Sequence, residues 1–223
     1  MMNRSRKRWA VHECFTCAGA VLKILLIKPP LNPHLLAPNH DEPLELEYLA
    51  AAAAGHDVEI LDMRLDRNLD RALARFHPDL VGITAYTCDL RTARSVLSEV
   101  KKHDARIRTV VGGHHATFLP GDFAMPFVDA IFIGLADDSF KDYLRVMASG
   151  GDVSGVPNIA LVHGDGLVLT ERVPFVKSLD LLPFPDRRPS LKYRAHYRDS
   201  LGHRTGLVVT SGGRLFPLAQ NER

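Results

Sequence analysis

The sequence is poor in cysteine, balanced in charge and without any long apolar run, and each shortage removes a class of protein. Among 223 residues only Cys14, Cys17 and Cys88 are cysteines, too few and too unevenly placed for a disulfide framework, which points to a reducing, cytoplasmic compartment. Cys14-Phe-Thr-Cys17 is the one close pair. The second half of a zinc site is missing and no strand precedes the pair as a redox motif requires, so it reads as chance spacing in an N-terminal extension. The 28 Lys and Arg stand against 26 Asp and Glu, a formal net charge of +2, which supplies no field for nucleic acid or an acidic membrane surface. Nowhere do about 18 apolar residues follow one another, the length a membrane-spanning helix needs. Arg4, Arg6, Lys7 and Arg8 imitate the start of an export signal, yet His12 and Glu13 interrupt the apolar stretch that should follow. There is no internal repeat and no low-complexity segment.

What is present is a rhythm. From Lys23 onward short apolar runs alternate with turn-rich stretches and helical patterns, as in repeated βα units. The runs are Lys23-Ile-Leu-Leu-Ile-Lys28, Val58-Glu-Ile-Leu61, Leu80-Val-Gly-Ile83, Thr109-Val-Val111 and Ala130-Ile-Phe-Ile133. Most are rich in β-branched residues and nearly free of charge, the composition of strands covered on both faces. Helical spacing predicts helices at roughly residues 44–55, 67–76, 89–103 and 137–149, with terminators such as Gly55, Pro78 and Gly150. The crossover between Gly112 and Asp129 is the least regular, and its helix should be short. The expected fold is α/β: a doubly wound, mainly parallel five-stranded sheet of flavodoxin-like or Rossmann-like type. After Gly150 the pattern Ile159-Ala-Leu-Val-His163, Gly164-Asp-Gly166, Leu167-Val-Leu-Thr170 reads as a β-hairpin. The proline-rich Leu181-Leu-Pro-Phe-Pro-Asp-Arg-Arg-Pro189 beyond it reads as extended chain.

Ligands of open doubly wound sheets bind outside the carboxyl ends of the strands. The residues there are Pro29-Pro30 after the first strand, Thr84-Ala-Tyr-Thr87 after the third, Gly112-Gly113-His114-His115-Ala116-Thr117 after the fourth and Gly134 after the fifth. Paired glycines let backbone approach a bulky ligand, although taken alone they signify only a tight turn. No GxGxxG follows the first strand, which removes the main support for a dinucleotide site. A phosphoacceptor receiver would want acidic residues where Pro29 and Thr84 stand. Adjacent histidines seldom converge on one metal ion, so His115 is expected to cap the following turn or to touch a ligand's edge, and His114 to face solvent.

Four segments in order carry a resemblance: Ile24-Leu-Leu-Ile-Lys-Pro-Pro30; Leu46-Glu-Tyr-Leu49 leading to Ala54-Gly-His-Asp-Val-Glu-Ile-Leu-Asp62; Pro78-Asp-Leu-Val-Gly-Ile-Thr84; and Val110-Val-Gly-Gly-His-His-Ala-Thr117. Together they resemble the N-terminal cobalamin-binding domain of class B, cobalamin-dependent radical-SAM proteins, from about Val21 to Pro185. The resemblance implies cobalamin lying over the strand ends, contacted by Thr84, Thr87, Gly112, Gly113 and Gly134, with Pro30, His115, Ala116 and Thr117 beside them. His34 copies the middle of the Asp-x-His-x-x-Gly motif by which other cobalamin modules ligate cobalt, but it lacks the Asp and the Gly, and is read as a loop histidine. Two departures stand out. Gly134-Leu-Ala-Asp-Asp138 replaces the family's usual Gly-Glu-Gly-Glu, and Thr205-Gly-Leu-Val-Val-Thr-Ser211 resembles a first barrel strand without the three-cysteine loop that should follow. Three thiolates hold the cluster that cleaves S-adenosylmethionine, and no cysteine follows Cys88.

The expected organisation is therefore an N-terminal extension over residues 1–20, a cobalamin-binding α/β domain over 21–150, a hairpin and connector over 151–185, and a poorly packed tail over 186–223. The expected function is a cobalamin-binding module without a catalytic or metal-ligating residue of its own, the front part of a radical-SAM methyltransferase-type enzyme. An iron–sulfur cluster and S-adenosylmethionine belong to a full-length relative or to a separate radical-SAM domain or chain. The alternative is a small α/β enzyme or sensor that binds a flavin or nucleotide at the same strand ends.

Overall fold

Apolar runs buried on both faces must be covered by helices on both sides, and that requirement organises the chain. A computed structural model describes residues 19–30, 41–164, 166–174, 182–199 and 201–207. Five parallel strands, β1 (Lys23–Lys28), β2 (Asp57–Asp62), β3 (Leu80–Thr84), β4 (Arg108–Gly112) and β5 (Ala130–Phe132), lie in the order β2-β1-β3-β4-β5. Five α-helices follow them: α1 (Leu44–Ala52), α2 (Leu69–Phe76), α3 (Leu90–His103), α4 (His114–Phe118) and α5 (Asp137–Ala148). The fourth crossover is irregular as expected, because α4 has five residues and a 3-10 turn at Pro120–Phe123 completes it.

Successive strand residues point to opposite faces. Ile24 and Leu26 therefore pack with Leu46 and Ala50 of α1 and with Phe140 and Leu144 of α5. Leu25 and Ile27 pack on the other side, with Leu73 of α2 and Val96 and Leu97 of α3. α2 starts at an N-cap, Asn68, whose side chain accepts from Arg71 N at 3.0 Å, and stops at His77 in the left-handed region before Pro78.

The sheet has seven strands rather than five. The hairpin strands β6 (Ile159–His163) and β7 (Gly166–Leu169) extend it antiparallel, with Ile131 opposite Ala160 and Leu161 opposite Val168. β5 would otherwise present an unpaired edge, and β6 covers it. In sequence the two strands are recognisable, but not the edge they join.

The segment expected to form a loose tail also packs in part. Ser190, Tyr193 and Tyr197 are buried. Asp186 N donates to Glu47 O at 2.9 Å, and the Ser190 hydroxyl donates to the Glu47 carboxylate. Arg187 lies 3.3 Å from Glu42 and 3.7 Å from Glu47. This explains why α1 buries Glu47 as well as Leu46: the helix is covered by the sheet and by the connector. The barrel-strand resemblance at 205–211 lies mostly outside the described residues, as do His34, Cys14 and Cys17.

Burial, reinforced by the neighbouring Glu42 and Glu45 and opposed by Ser190 and Arg187, pushes the Glu47 carboxyl from 4.5 to about 7. A carboxyl whose folded pKa is raised favours folding in its protonated form, so its stabilisation is full below about pH 4.5 and is lost as the pH rises through about 7. Wild-type stability in urea should fall between pH 5 and pH 8, by on the order of 2 kcal/mol from this group. Glu47→Gln should flatten that slope. An unchanged slope in the variant would show that Glu47 is ionised in the folded chain throughout.

Candidate functional site

The crossovers diverge between β1 and β3: α1 follows β1 onto one face and α3 follows β3 onto the other. A crevice opens at such a switch point, outside the carboxyl ends of the strands. The loop after β1 brings Pro29 and Pro30 to it, and the loop after β3 brings Tyr86 and Thr87.

The loops after β3, β4 and β5 are tied together. Ala85 N donates to Gly112 O at 3.0 Å, and His115 N donates to Ala85 O at 3.0 Å. Gly113, at φ +96°, stands between them, and a Cβ there would lie 2.8 Å from Thr84 Oγ1 and 2.9 Å from Ala85 N. The Thr117 hydroxyl donates to Gly113 O at 2.9 Å and accepts from Gly134 N at 3.0 Å. Gly134, at φ +81°, faces open space.

The sequence-derived site residues accordingly fall into two layers. Thr87 and Gly134 are exposed, and Pro30, Gly112, Gly113 and Thr117 are half-buried. Thr84, His115 and Ala116 are buried beneath them. The His115 ring has partners at both nitrogens: Nδ1 is 3.1 Å from Thr87 Oγ1 and Nε2 is 3.0 Å from Asp122 Oδ2. His114 is exposed and packs edge-on against Phe118 at 4.8 Å.

Sequence reasoning missed an apolar rim. Tyr86, Phe118, Leu119 and Leu135 are each about half exposed around these loops, and Lys28 Nζ lies 5.2 Å from the centre of the Tyr86 ring. Tyr86 stood within the quoted Thr84–Thr87 run; the other three carry no periodic signal because Phe118 ends the five-residue α4, Leu119 follows it and Leu135 follows β5. Asp122 was missed for the same reason. Cys88 is exposed, and partial burial of the sulfur together with the Asp89 carboxylate holds its thiol above the usual range. Such a thiol is a poor nucleophile and a poor metal ligand. Among the described residues no group of three His, Cys, Asp or Glu is placed to hold a metal ion, and no helix is long and apolar enough to cross a membrane.

A cavity of about 660 Å³ lies elsewhere, between the residues before α1 and the connector, lined by Glu42, Arg187, Arg194 and Arg204 among others. The strand-end surface shares none of those lining residues. Its exposed apolar side chains, flanked by Thr87 and the open backbone at Gly134, fit a large ligand with an extended apolar face and polar edges.

Known proteins resemble this chain in sequence and in fold. Residues 38–144 match the B12 binding domain family. An uncharacterised methyltransferase of Pyrococcus horikoshii is 30% identical over 205 residues, covering 86% of this chain and 43% of that protein. The hopanoid C-3 methylase of Methylococcus capsulatus is 28% identical over 165 residues, 70% of this chain and 31% of its own length. Among solved structures, the radical S-adenosylmethionine methyltransferase TsrM from Kitasatospora setae, with cobalamin and a 4Fe–4S cluster bound, superposes with a TM-score of 0.61 at 19% identity, over 74% of this chain and 31% of TsrM. The cobalamin-dependent S-adenosylmethionine radical enzyme OxsB, with aqua-cobalamin and S-adenosylmethionine bound, gives 0.63 at 16% identity, over 74% of this chain and 24% of OxsB. At these identities the structural likeness is one of fold. The chain spans less than half the length of the curated relatives it matches.

The two left-handed glycines should respond differently to substitution. Gly113→Ala combines a strained φ with a collision against backbone that cannot move aside, and should cost roughly 3 kcal/mol in urea unfolding. Gly134→Ala meets open space and should cost about 1 kcal/mol. Equal losses would show that close approach to β3 is not what requires glycine at position 113.

Proposed function

We propose, from the B12-binding domain that residues 38–144 carry and its resemblance to the cobalamin module of radical-SAM methyltransferases, that the chain binds cobalamin across the ends of β1, β3, β4 and β5. The observation that carries this reading is the coincidence of that match with a tied set of strand-end loops ringed by exposed apolar side chains. Cobalamin supplies the cobalt chemistry; the protein supplies binding, orientation and exclusion of water.

In this reading Tyr86, Phe118, Leu119 and Leu135 cover the ligand's apolar face, and Thr87 and the backbone at Gly112 and Gly134 meet its polar edge. Gly113, Ala116, Thr84 and His115 hold that surface in place from below, while Pro30 borders the crevice at β1. The flavin or nucleotide alternative finds less support, because Pro29 and Pro30 at the first loop lack the N–H groups a phosphate would need there. The module serves a radical-SAM methyltransferase-type reaction whose iron–sulfur cluster and S-adenosylmethionine are held by a radical-SAM domain on the same or another polypeptide. Its compartment is the reducing cytoplasm.

Purified protein incubated with hydroxocobalamin and desalted should retain a corrin absorption spectrum in near-equimolar amount, and should retain neither FMN nor ATP in parallel trials. Colourless protein after desalting sinks the proposal. His34→Ala should leave the spectrum of the bound corrin unchanged, since no cobalt–imidazole bond would be lost; a shifted spectrum would make His34 a cobalt ligand.

A further inference from the structure

Beneath the exposed loop after β3 lies a connected set of three polar side chains, Thr87, His115 and Asp122. His115 is 3% exposed and its ring stands edge-on to Phe123, with centroids 5.9 Å apart at 79°. Both ring nitrogens are engaged, Nδ1 with Thr87 Oγ1 at 3.1 Å and Nε2 with Asp122 Oδ2 at 3.0 Å. The two partners are not equivalent. A carboxylate can only accept, so Nε2 must carry the proton it donates to Asp122. Arg94 donates through its Nε to the backbone carbonyl of Asp122 at 2.7 Å, which leaves its guanidinium 3.9 Å from the carboxylate oxygen Oδ1 without a hydrogen bond to it. With that cation beside the carboxylate, a neutral N–H from the ring is enough to satisfy Oδ2.

In a neutral imidazole with Nε2 protonated, Nδ1 is a bare acceptor. The Thr87 hydroxyl then donates its single hydrogen inward to Nδ1. Its oxygen is left with lone pairs only, and Thr87 is exposed at the strand-end surface. A hydroxyl free to rotate can donate or accept as a ligand requires; this one is committed to accepting.

We propose that Asp122 and His115 act as positioning residues that fix Thr87 as a hydrogen-bond acceptor toward the ligand, making the site selective for primary amides over carboxylates at the corrin periphery. The inference rests on the cobalamin reading above and deepens it. Cobalamin's peripheral side chains end in primary amides, which donate; a carboxylate presented to Thr87 Oγ1 would set two acceptors against each other in a partly dehydrated contact.

Two measurements test this. Nitrogen-15 NMR of the ligand-free protein reads the tautomer directly, and His115 should show a protonated Nε2 and an unprotonated Nδ1 near neutral pH. Binding of cobalamin is then compared with that of its monocarboxylates, in which one peripheral amide at a time has been hydrolysed. Wild type should bind at least one monocarboxylate roughly tenfold more weakly than cobalamin. Thr87→Val should remove that ratio and Thr87→Ser should restore it. An Nδ1-protonated ring, or a ratio that survives in Thr87→Val, overturns the proposal. Wild type that binds no corrinoid overturns the cobalamin reading and the selectivity with it, whatever the tautomer proves to be.

Discussion

The candidate site depends on the pinning of the turn after β4 to the end of β3. Thr84 and Gly112 are in register at the last rung of the ladder, and the next residue, Ala85, spends both its backbone groups on the neighbouring turn, donating to Gly112 and accepting from His115. That contact is close enough that no side chain can stand at position 113. With Ala85 held in this way, the chain leaves the sheet at Tyr86 in an extended conformation and turns outward into the 3-10 turn at Thr87–Asp89. α4 then starts where His115 passes under Thr87 and Thr117 reaches Gly134. Loosening that rung would release three loops together, because each is tied to the next.

A sheet wound on both faces leaves its strand ends as the place where apolar side chains can gather without being covered by a helix. Here Tyr86, Phe118, Leu119 and Leu135 do so, and they cluster on loops already held rigid. Of these, Tyr86 and Phe118 are linked through the ring of His114 between them. The exposed Val168 and Leu169 on β7 have a simpler origin: they lie on one of the two edge strands of the sheet, paired on one side only.

The elements were legible in the sequence because their signals are local. Charge-free runs such as Leu80-Val-Gly-Ile83 and the apolar spacing of α3 need no knowledge of partners, and the strand-end glycines follow from the topology. What escaped depends on contacts distant in sequence or on irregular turns. The edge that the hairpin joins, that of β5, is decided by the order of the strands in the folded sheet. The docking of the connector rests on Ser190 meeting Glu47, 143 residues away, and no periodicity reports such a pair. His115 was noticed for its residue type, yet its role is defined by Asp122 in an irregular turn. Proline at 183 and 185 falls in chain without regular structure, but at Pro189 the chain turns into a 3-10 helix at Leu191–His196 that buries Tyr193, with buried Tyr197 just beyond it.

The connector and the strand-end surface meet on the first turn of α1. Glu45 pairs with Lys28 at the end of β1, and Lys28 lies over the Tyr86 ring of the rim. Two residues further along, Glu47 receives Ser190 and faces Arg187 from the connector. A single helical turn thus joins the rim to the segment that leads out of the domain. Contiguity alone transmits nothing; coupling between two places requires an element with two states that both places bias. On this path Glu47 has two states within reach of neutral pH, since burial lifts its carboxyl to about 7. Neutral, it is a buried acid hydrogen-bonded by Ser190; ionised, it gains attraction to Arg187 and repulsion from Glu42. The first turn of α1 is therefore both the anchor of the connector and a place where burial brings a change of charge close to neutral pH.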